Sequence, residues 1–156
     1  ALDGFLGRLP PDWRYGVEIR NANLLQDEYF SMLARHGVAH VFNSWQAMPS
    51  LADQLRLPHA FSSAEFTAAR LLLKPGRAYA EAVERFSPYQ QIQEPYPEGR
   101  DAAASLVGGV ARRELNFPRS VYLYVNNRFE GNALLTLQAI LAQAGWLTPP
   151  PAPPVS

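Results

Sequence analysis

The sequence contains no cysteine, which excludes disulfide bonds, thiolate nucleophiles and thiolate metal ligands. It also lacks an excess of charge of either sign, because 14 basic and 14 acidic side chains cancel. A neutral chain has no overall field that would draw it to nucleic acid or to an anionic membrane, so any anion site must be local. A chain without cysteine suits a reducing compartment, and we expect a cytoplasmic protein.

Long apolar runs are missing as well. No window approaches 18 uninterrupted apolar residues, and residues 1–9 do not combine a basic segment with an apolar core. The sequence therefore predicts neither a membrane span nor a secretory signal. With 156 residues, of which 47% are apolar, the chain is long enough for one domain with a real core.

Four short strand-like runs recur along the chain, and each is followed by a helical pattern. The runs are 14–20, 38–43, 67–73 and 120–125. Strands that alternate with helices at this spacing predict right-handed β-α-β units and a parallel sheet. The predicted fold class is therefore α/β, with four parallel β/α units that form half of a TIM-type barrel, a fragment of a (β/α)8 barrel.

Half of a barrel would leave two open sheet edges and one uncovered face, because barrel strands are buried on both sides. We therefore expect a missing amino-terminal half-barrel or self-association across the open edges. The domain is expected to cover residues 1–147. The proline-rich segment 148–156 can build neither a helix nor a ladder, and we expect a disordered tail there.

The alternation of side chains along each strand predicts which of them face the barrel interior, since residues two apart share a face. We assign the apolar set of each strand to the helix layer and the other set to the interior. The second run is the least clear, since Asn43 faces inward only if Phe42 packs outward. The polar side chains expected in the interior or just beyond it are Glu18, Arg20, Asn43, Arg70, Tyr122, Tyr124, Asn126 and Asn127.

Sites in barrels of this type lie at the carboxyl ends of the strands. One pocket there can collect the polar residues at that level, which are Glu18, Arg20, Asn43, Arg70, Asn126 and Asn127. Glu18 is the candidate general acid or base, and Arg20 and Arg70 are candidates to hold an anionic group. The remaining candidate substrate-binding residues are Asn43, Tyr124, Asn126 and Asn127. Plainer interpretations stay open, because Glu18 and Arg20 can simply neutralise each other and asparagines often close β-α turns.

A second candidate site follows from the segment EGNA at 130–133. Gly131 followed by Asn132 as helix cap would free the first backbone N–H groups of the last helix, where barrels often hold phosphate. Lys74, Gly76 and Arg77 lie on the neighbouring loop. These five residues form the predicted anion site.

No metal site is predicted. His36 and His40 have the i, i+4 spacing of helix-borne ligands, but Gly37 lies between them and His40 should already be in a strand. No G-x-S-x-G segment supplies a catalytic serine. The visible residues require no cofactor, and the identity of any cofactor stays unknown.

Three segments resemble the YecE-like family, bacterial TIM-type barrels with no assigned reaction. The segments are FLGRLPPDWRYGVEIRN at 5–21, LKPGRAYAEAVERFSPYQQIQEPYPEGR at 73–100 and VYLYVNNRFEGNALLTLQAI at 121–140. The likeness covers most of residues 2–145, and its VEIRN and VNNRFEGNA blocks are the most specific. It implies that the chain is the carboxyl-terminal half of such a barrel, and that the other half supplies the first strands and part of the pocket.

The resemblance also has consequences for individual residues. It implies that Glu18, Arg20, Arg70, Tyr89 and the pair Asn126 and Asn127 occupy the family's recurrent polar positions. Two departures stand out. Leu134 replaces the proline expected after GNA, and the strand around Arg70 has a less aromatic context, which can weaken the helix start and alter the pocket wall.

Three functions remain open on these grounds. The leading one is a barrel with a small-molecule or sugar-phosphate pocket at the strand ends, with catalysis undecided. The second is a nucleic-acid binding or processing barrel, in which the arginines hold a phosphodiester and tyrosines stack on a base, although the net charge gives it no support. Trp45 could stack on bases or sugars too, but aromatic residues more often only pack. The third is a non-catalytic module that assembles with another half-barrel.

Overall fold

The structure is a computed structural model that describes residues 1–61, 64–114 and 118–147. The predicted tail at 148–156 lies outside the described residues. The elements in chain order are α1 (Leu2–Leu6), β1 (Gly16–Val17), a 3-10 helix (Ala22–Leu24), α2 (Asp27–His36), β2 (Ala39–Ser44), α3 (Leu51–Leu55), β3 (Phe66–Leu71), α4 (Tyr79–Phe86), α5 (Pro97–Ala111), β4 (Ser120–Val125) and α6 (Ala133–Gln143).

The four strands form one parallel sheet in the order β1-β2-β3-β4, which confirms the predicted α/β class. The register places Asn43 of β2 beside Arg70 of β3, and Arg70 beside Tyr124 of β4. The first strand is shorter than the predicted run 14–20. The ladder of β1 ends at Val17, and beyond it the carbonyl of Ile19 accepts a hydrogen bond from the Asn43 side chain instead.

The core lies between the sheet and the helices on its outer face. Phe42 and Leu71 of the sheet are fully buried against Leu33 of α2, Leu106 of α5 and Ile140 of α6. Burying an apolar side chain of this size contributes about 1.5–3 kcal/mol, so each of these side chains stabilises the fold substantially. Among the helices of the described residues, none is both long and apolar enough to cross a membrane.

A smaller second core lies beyond the carboxyl ends of β2 and β3. Leu73, Ala82 and Phe86 are fully buried in it, and Trp45 and Tyr89 pack against them. Trp45 follows β2 and Leu73 follows β3, so this cluster fastens α4 to the end of the sheet where the candidate site was predicted.

The face of the sheet opposite the helices is concave. Arg14, which precedes β1, donates from Nη1 to the hydroxyl of Tyr122 on β4, at 3.2 Å. In a flat sheet β1 and β4 would lie about 14 Å apart, and side chains perpendicular to it would not meet. The sheet must therefore curve around this face, as the wall of a barrel does.

Candidate functional site

An open cleft of about 450 Å³ lies on the concave face. Its floor is built from small or short side chains, which leave room between the strands. Its two ends carry arginines, and β4 contributes an aromatic wall. The lining residues are Arg14, Gly16, Glu18, Val41, Phe66, Ala68, Arg70, Tyr122 and Tyr124.

A larger hollow of about 650 Å³ lies between α3 and α5 on the helix side. Arg56 and Lys74 line it together with Glu98 and Asp101, so charges of both signs balance there. The cleft on the concave face has more arginines than carboxylates, and it reaches Glu18 and Arg70 at the carboxyl ends of the strands. We therefore place the candidate site in the cleft.

Glu18 lies between two guanidinium groups. The Nε of Arg20 donates to Oε1 at 3.2 Å, and Nη1 of Arg70 donates to Oε2. The Glu18 side chain is only 16% exposed, whereas those of Arg20 and Arg70 are 44% and 39% exposed. A guanidinium has five N–H donors, so both arginines keep donors for a further partner.

Arg20 also stacks on an aromatic ring. Its guanidinium carbon lies 4.2 Å from the centroid of the Trp45 ring. Trp45 packs in turn against the second core. The mouth of the cleft is thus connected through Trp45 to a rigid cluster of buried side chains.

The amino end of the cleft is formed by residues outside the predicted site set. Arg14 bonds to Tyr122, and its guanidinium carbon lies 5.8 Å from the centroid of the Phe66 ring. Tyr122 and Tyr124 are 43% and 57% exposed. Arg14 shares the alternation of Gly16 and Glu18, so continuing that pattern by two residues toward the amino terminus would have found it.

Asn43, a predicted substrate-binding residue, is fully buried and does not line the cleft. Its Nδ2 donates to the carbonyl of Ile19 at 2.9 Å, and this bond holds the end of β1 to β2. Gln54 of α3 bonds to the backbone N–H and carbonyl of Asn43 at 3.3 and 2.6 Å. The Oδ1 of Asn43 has no hydrogen-bond partner within the described residues.

Asn126 and Asn127 also lie outside the cleft lining. The Oδ1 of Asn126 accepts from the backbone N–H of Arg128 at 2.9 Å, and that of Asn127 accepts from Ala133 at 2.8 Å. Both side chains therefore close the turns that lead from β4 into α6, a common role of asparagine.

Lys74 and Arg77, the two cations of the predicted anion site, converge together with Arg85 on a carboxylate of the chain itself. Lys74 Nζ lies 3.7 Å from Glu94 Oε1, Arg85 Nη2 lies 2.9 Å from Oε2, and Arg77 Nη2 donates to Oε1. Burial alone would raise the pKa of Glu94, but the hydrogen bond from Arg77 and the charges of Arg77, Arg85 and Lys74 hold that pKa below its ordinary value. Gly76 donates its backbone N–H to Gln46.

The other half of the predicted anion site, at the start of α6, is largely engaged by protein groups. Asn132 caps α6 as expected, since its Oδ1 accepts from the N–H of Leu135 at 3.0 Å, and its Nδ2 donates to the carbonyl of Tyr89 at 2.8 Å. Gly131 has a φ of +117°, and a Cβ there would lie 2.6 Å from the carbonyl oxygen of Gln91. The loop before α5 therefore packs directly against this turn.

Glu130 is a buried residue whose structural role could not be predicted from the sequence. It is fully buried and accepts hydrogen bonds from the Nε of Arg100 at 2.9 Å, the hydroxyl of Thr136 at 2.7 Å and the N–H of Tyr96. A charged residue in a turn is usually solvated, so the local sequence carries no signal for this role. Glu130 fixes α5 to α6.

His40 lies in β2, as its position predicted, and faces the helix layer. It is fully buried, its Nδ1 lies 3.0 Å from the hydroxyl of Tyr29, and burial lowers the pKa of His40 to about 4. His36 pairs instead with Asp3, at 2.7 Å. Across the residues that the structure describes, no group of three or more histidine, aspartate or glutamate side chains is arranged to hold a metal ion.

A parallel α/β sheet with a concave, arginine-lined face defines the class of the protein. The chain belongs to the DUF72 family, described as a protein of unknown function, whose family model matches residues 1–155. No protein with a curated function matches the sequence.

Two solved structures are similar to this one. A DUF72 family protein from Enterococcus faecalis superposes with a TM-score of 0.63 at 11% identity, over 99% of this chain and 55% of that chain. A DUF72 family protein from Thermotoga maritima gives a TM-score of 0.50 at 17% identity, over 89% of this chain and 47% of that chain. The chain thus spans about half the length of these structures. At such identities the likeness concerns the fold alone.

Proposed function

We propose that the concave face binds a small anionic molecule near the carboxyl end of the sheet. The supporting observation is a local excess of positive charge. Arg14 and Arg70 line the cleft and Arg20 adjoins it, and among the described residues that line it Glu18 is the only acidic one. Three positive charges against one negative charge give this surface a net positive field in a chain whose formal net charge is zero.

The aromatic wall favours a ligand with a ring, such as a sugar phosphate. The exposed rings of Tyr122 and Tyr124 stand beside the arginines, and sugar and other ring faces pack well on tyrosine. In this proposal Glu18 orients the guanidinium groups of Arg20 and Arg70. Proton transfer by Glu18 would require one of these arginines to leave its carboxylate oxygen. The proposed function is therefore binding and not catalysis.

We further propose that the chain is the carboxyl half of a YecE-like (β/α)8 barrel and that a complementary half covers its open edges. The curvature that joins Arg14 to Tyr122 supports this, as does the coverage of only 55% and 47% of the two solved relatives. In a closed barrel the ligand would enter from the carboxyl end of the strands. Glu18, Arg70 and Tyr124 would remain at the open mouth.

A second candidate function is binding of single-stranded nucleic acid. The observation that favours it is the pair Tyr122 and Tyr124, exposed on one strand beside Arg70, since bases stack on aromatic rings while arginines hold the phosphates. Pure assembly without a ligand is the third candidate, and the two open sheet edges favour it.

Titration of the 156-residue chain with inorganic phosphate, a sugar phosphate and a short thymidine oligonucleotide separates these candidates. We expect phosphate and sugar phosphate to shift amide signals around the cleft, and Arg70→Met to weaken both by about tenfold. Arg35→Met on the outer helix α2 is the matched control and should bind as the wild type does. Equal phosphate binding by wild type and Arg70→Met would contradict the proposed site, and binding of the oligonucleotide alone, with a steep dependence on salt, would favour the second candidate.

A further inference from the structure

Two contacts of Arg20 leave some of the N–H donors of its guanidinium group without a partner in the described residues. The face of the group stacks on Trp45 at 4.2 Å, and its Nε donates to Glu18 at 3.2 Å. Stacking uses the face of a guanidinium, whereas hydrogen bonds use its edge. The two terminal Nη groups have no hydrogen-bond partner in the described part of the chain, so their N–H donors are available to a ligand.

Trp45 is the fixed member of this stack. It packs against Leu73 and Phe86 in the second core, whereas Arg20 follows β1 in a segment without regular structure and is 44% exposed. An exposed ion pair alone holds a long side chain weakly, because the chain keeps its rotamer freedom. The orientation of Arg20 thus depends on the ring beneath it as well as on Glu18.

Arg70 also bonds to the Glu18 carboxylate, through the other oxygen, and it too has N–H donors to spare. Its Nη1 donates to Oε2 of Glu18, which leaves its Nε and Nη2 without a hydrogen-bond partner in the described residues. Glu18 separates two like charges, and both guanidinium groups bond to its one carboxylate. A tetrahedral oxyanion has enough acceptor oxygens to accept from both edges, and such charge-assisted bonds are strong.

We propose that Trp45 is a positioning residue that holds Arg20 so that its Nη groups, together with Arg70, bind a tetrahedral oxyanion such as a phosphate monoester. This inference rests on the proposed anion-binding function of the cleft and names the anion's chemical class. The inference also gives Trp45 a different role. Its ring holds an arginine in place and does not stack on a base or a sugar.

The test compares Trp45→Leu with Trp45→Phe, and uses Trp146→Leu as the matched control because Trp146 is an exposed tryptophan beyond α6. Inorganic phosphate is the probe, and its affinity is measured by calorimetry. Loss of the ring in Trp45→Leu should weaken phosphate binding by about three- to tenfold, whereas Trp45→Phe keeps a ring and should stay within about twofold of wild type. Trp146→Leu should bind as the wild type does.

A second readout separates positioning from a general loss of packing. The Arg20 Nε–H signal is followed by NMR, because its exchange with solvent is slowed by the bond to Glu18. In Trp45→Leu this exchange should accelerate several-fold, and in Trp45→Phe it should not. A variant that is merely less stable, with unchanged Arg20 exchange and unchanged phosphate affinity, overturns the inference.

Failure of the underlying function gives a different result. If the wild type and Arg70→Met both fail to bind phosphate or sulfate, the anion-binding proposal falls and the oxyanion assignment falls with it. If Arg70→Met loses phosphate while Trp45→Leu binds as the wild type does, the cleft keeps its function and the role of Trp45 is wrong. Rescue of phosphate affinity by Trp45→Phe is the outcome that the inference requires.

Discussion

Glu18 and Arg70 are 52 residues apart in the chain, yet they pair on the concave face across the intervening strand β2. The two long side chains must reach over β2, because β1 and β3 are not neighbours. Arg20 bonds to the other carboxylate oxygen, so one partly buried carboxylate forms ion pairs with two guanidinium groups. Removing that charge leaves two arginines facing each other without compensation.

Glu18→Gln should therefore destabilise the fold, by about 1–2 kcal/mol, which lies between the values for exposed and for buried pairs. Urea denaturation gives the free energy of unfolding. Glu65→Gln is the control, since Glu65 is exposed and its contact with Arg119 is a distant 3.8 Å, and it should change stability by less than about 0.5 kcal/mol. A Glu18→Gln chain as stable as the wild type would mean that the pair contributes nothing to the fold.

The free energy of unfolding should decrease as the pH is lowered, because of His40. Burial lowers the pKa of His40 from the ordinary 6.5 to about 4, with a smaller opposing contribution from Gln54. Within the described residues, Nε2 of His40 has no hydrogen-bond partner. The unfolded chain therefore binds the proton more readily, and stability present above pH 6.5 is lost as pH falls toward 4. The full effect is about 3 kcal/mol. Denaturation from pH 7 to pH 4 should show this slope, and His40→Asn should flatten it whereas His36→Asn should not.

The alternation of residues in β3 and β4 was enough to place Arg70 and Tyr124 on the same face. A period of two is a local property, and it survives whatever the rest of the chain does. The parallel order of the strands also followed from the sequence, because β-α-β units have a preferred hand. Sequence reasoning therefore predicted the sheet and the side of it on which the cleft lies.

Partners that depend on distant segments could not be predicted in the same way. Glu94 meets Lys74 and Arg77 only because the loop before α5 folds back over the loop after β3. An asparagine at position 126 or 127 can bind a ligand or bond to its own backbone, and the sequence does not distinguish the two roles. Such choices are made by tertiary packing.

The cluster around Glu94 should be important for stability. Arg77 is 6% exposed, and without the Glu94 carboxylate this buried cation would keep only its longer contact with Glu81. Glu94→Gln should therefore cost about 2–4 kcal/mol in chemical denaturation. Glu81→Gln is the matched control, because Glu81 is more exposed and lies 3.6 Å from Arg77, and its cost should stay below about 1 kcal/mol. Equal losses from the two changes would show that Glu94 is not the centre of the cluster.

The same change tests whether these cations form an anion site. In the wild type the carboxylate of Glu94 occupies the position between Lys74, Arg77 and Arg85. Once that carboxylate is neutral, a free anion can replace it, so phosphate should raise the melting temperature of Glu94→Gln by more than that of the wild type. Potassium chloride at equal ionic strength is the control. A larger effect of phosphate on the wild type would mean that the predicted anion site exists beside Glu94 and not in its place.

The turn before α6 should accept no residue but glycine at position 131. Its φ of +117° is unfavourable for other residues, and an added Cβ would lie 2.6 Å from the carbonyl oxygen of Gln91 and 2.9 Å from the backbone nitrogen of Gln93. Both close atoms belong to the backbone and cannot move aside, so Gly131→Ala should cost about 2–4 kcal/mol.

Gly145→Ala is the matched control for this change. Gly145 also has a positive φ, of +79°, but no atom of the described residues lies within 4 Å of an added Cβ, so its replacement should cost only about 1 kcal/mol. The difference between the two free energies of unfolding isolates the steric contact with the loop before α5. If the two variants lose equal stability, the close packing of this turn is wrong, and an anion could still approach the start of α6.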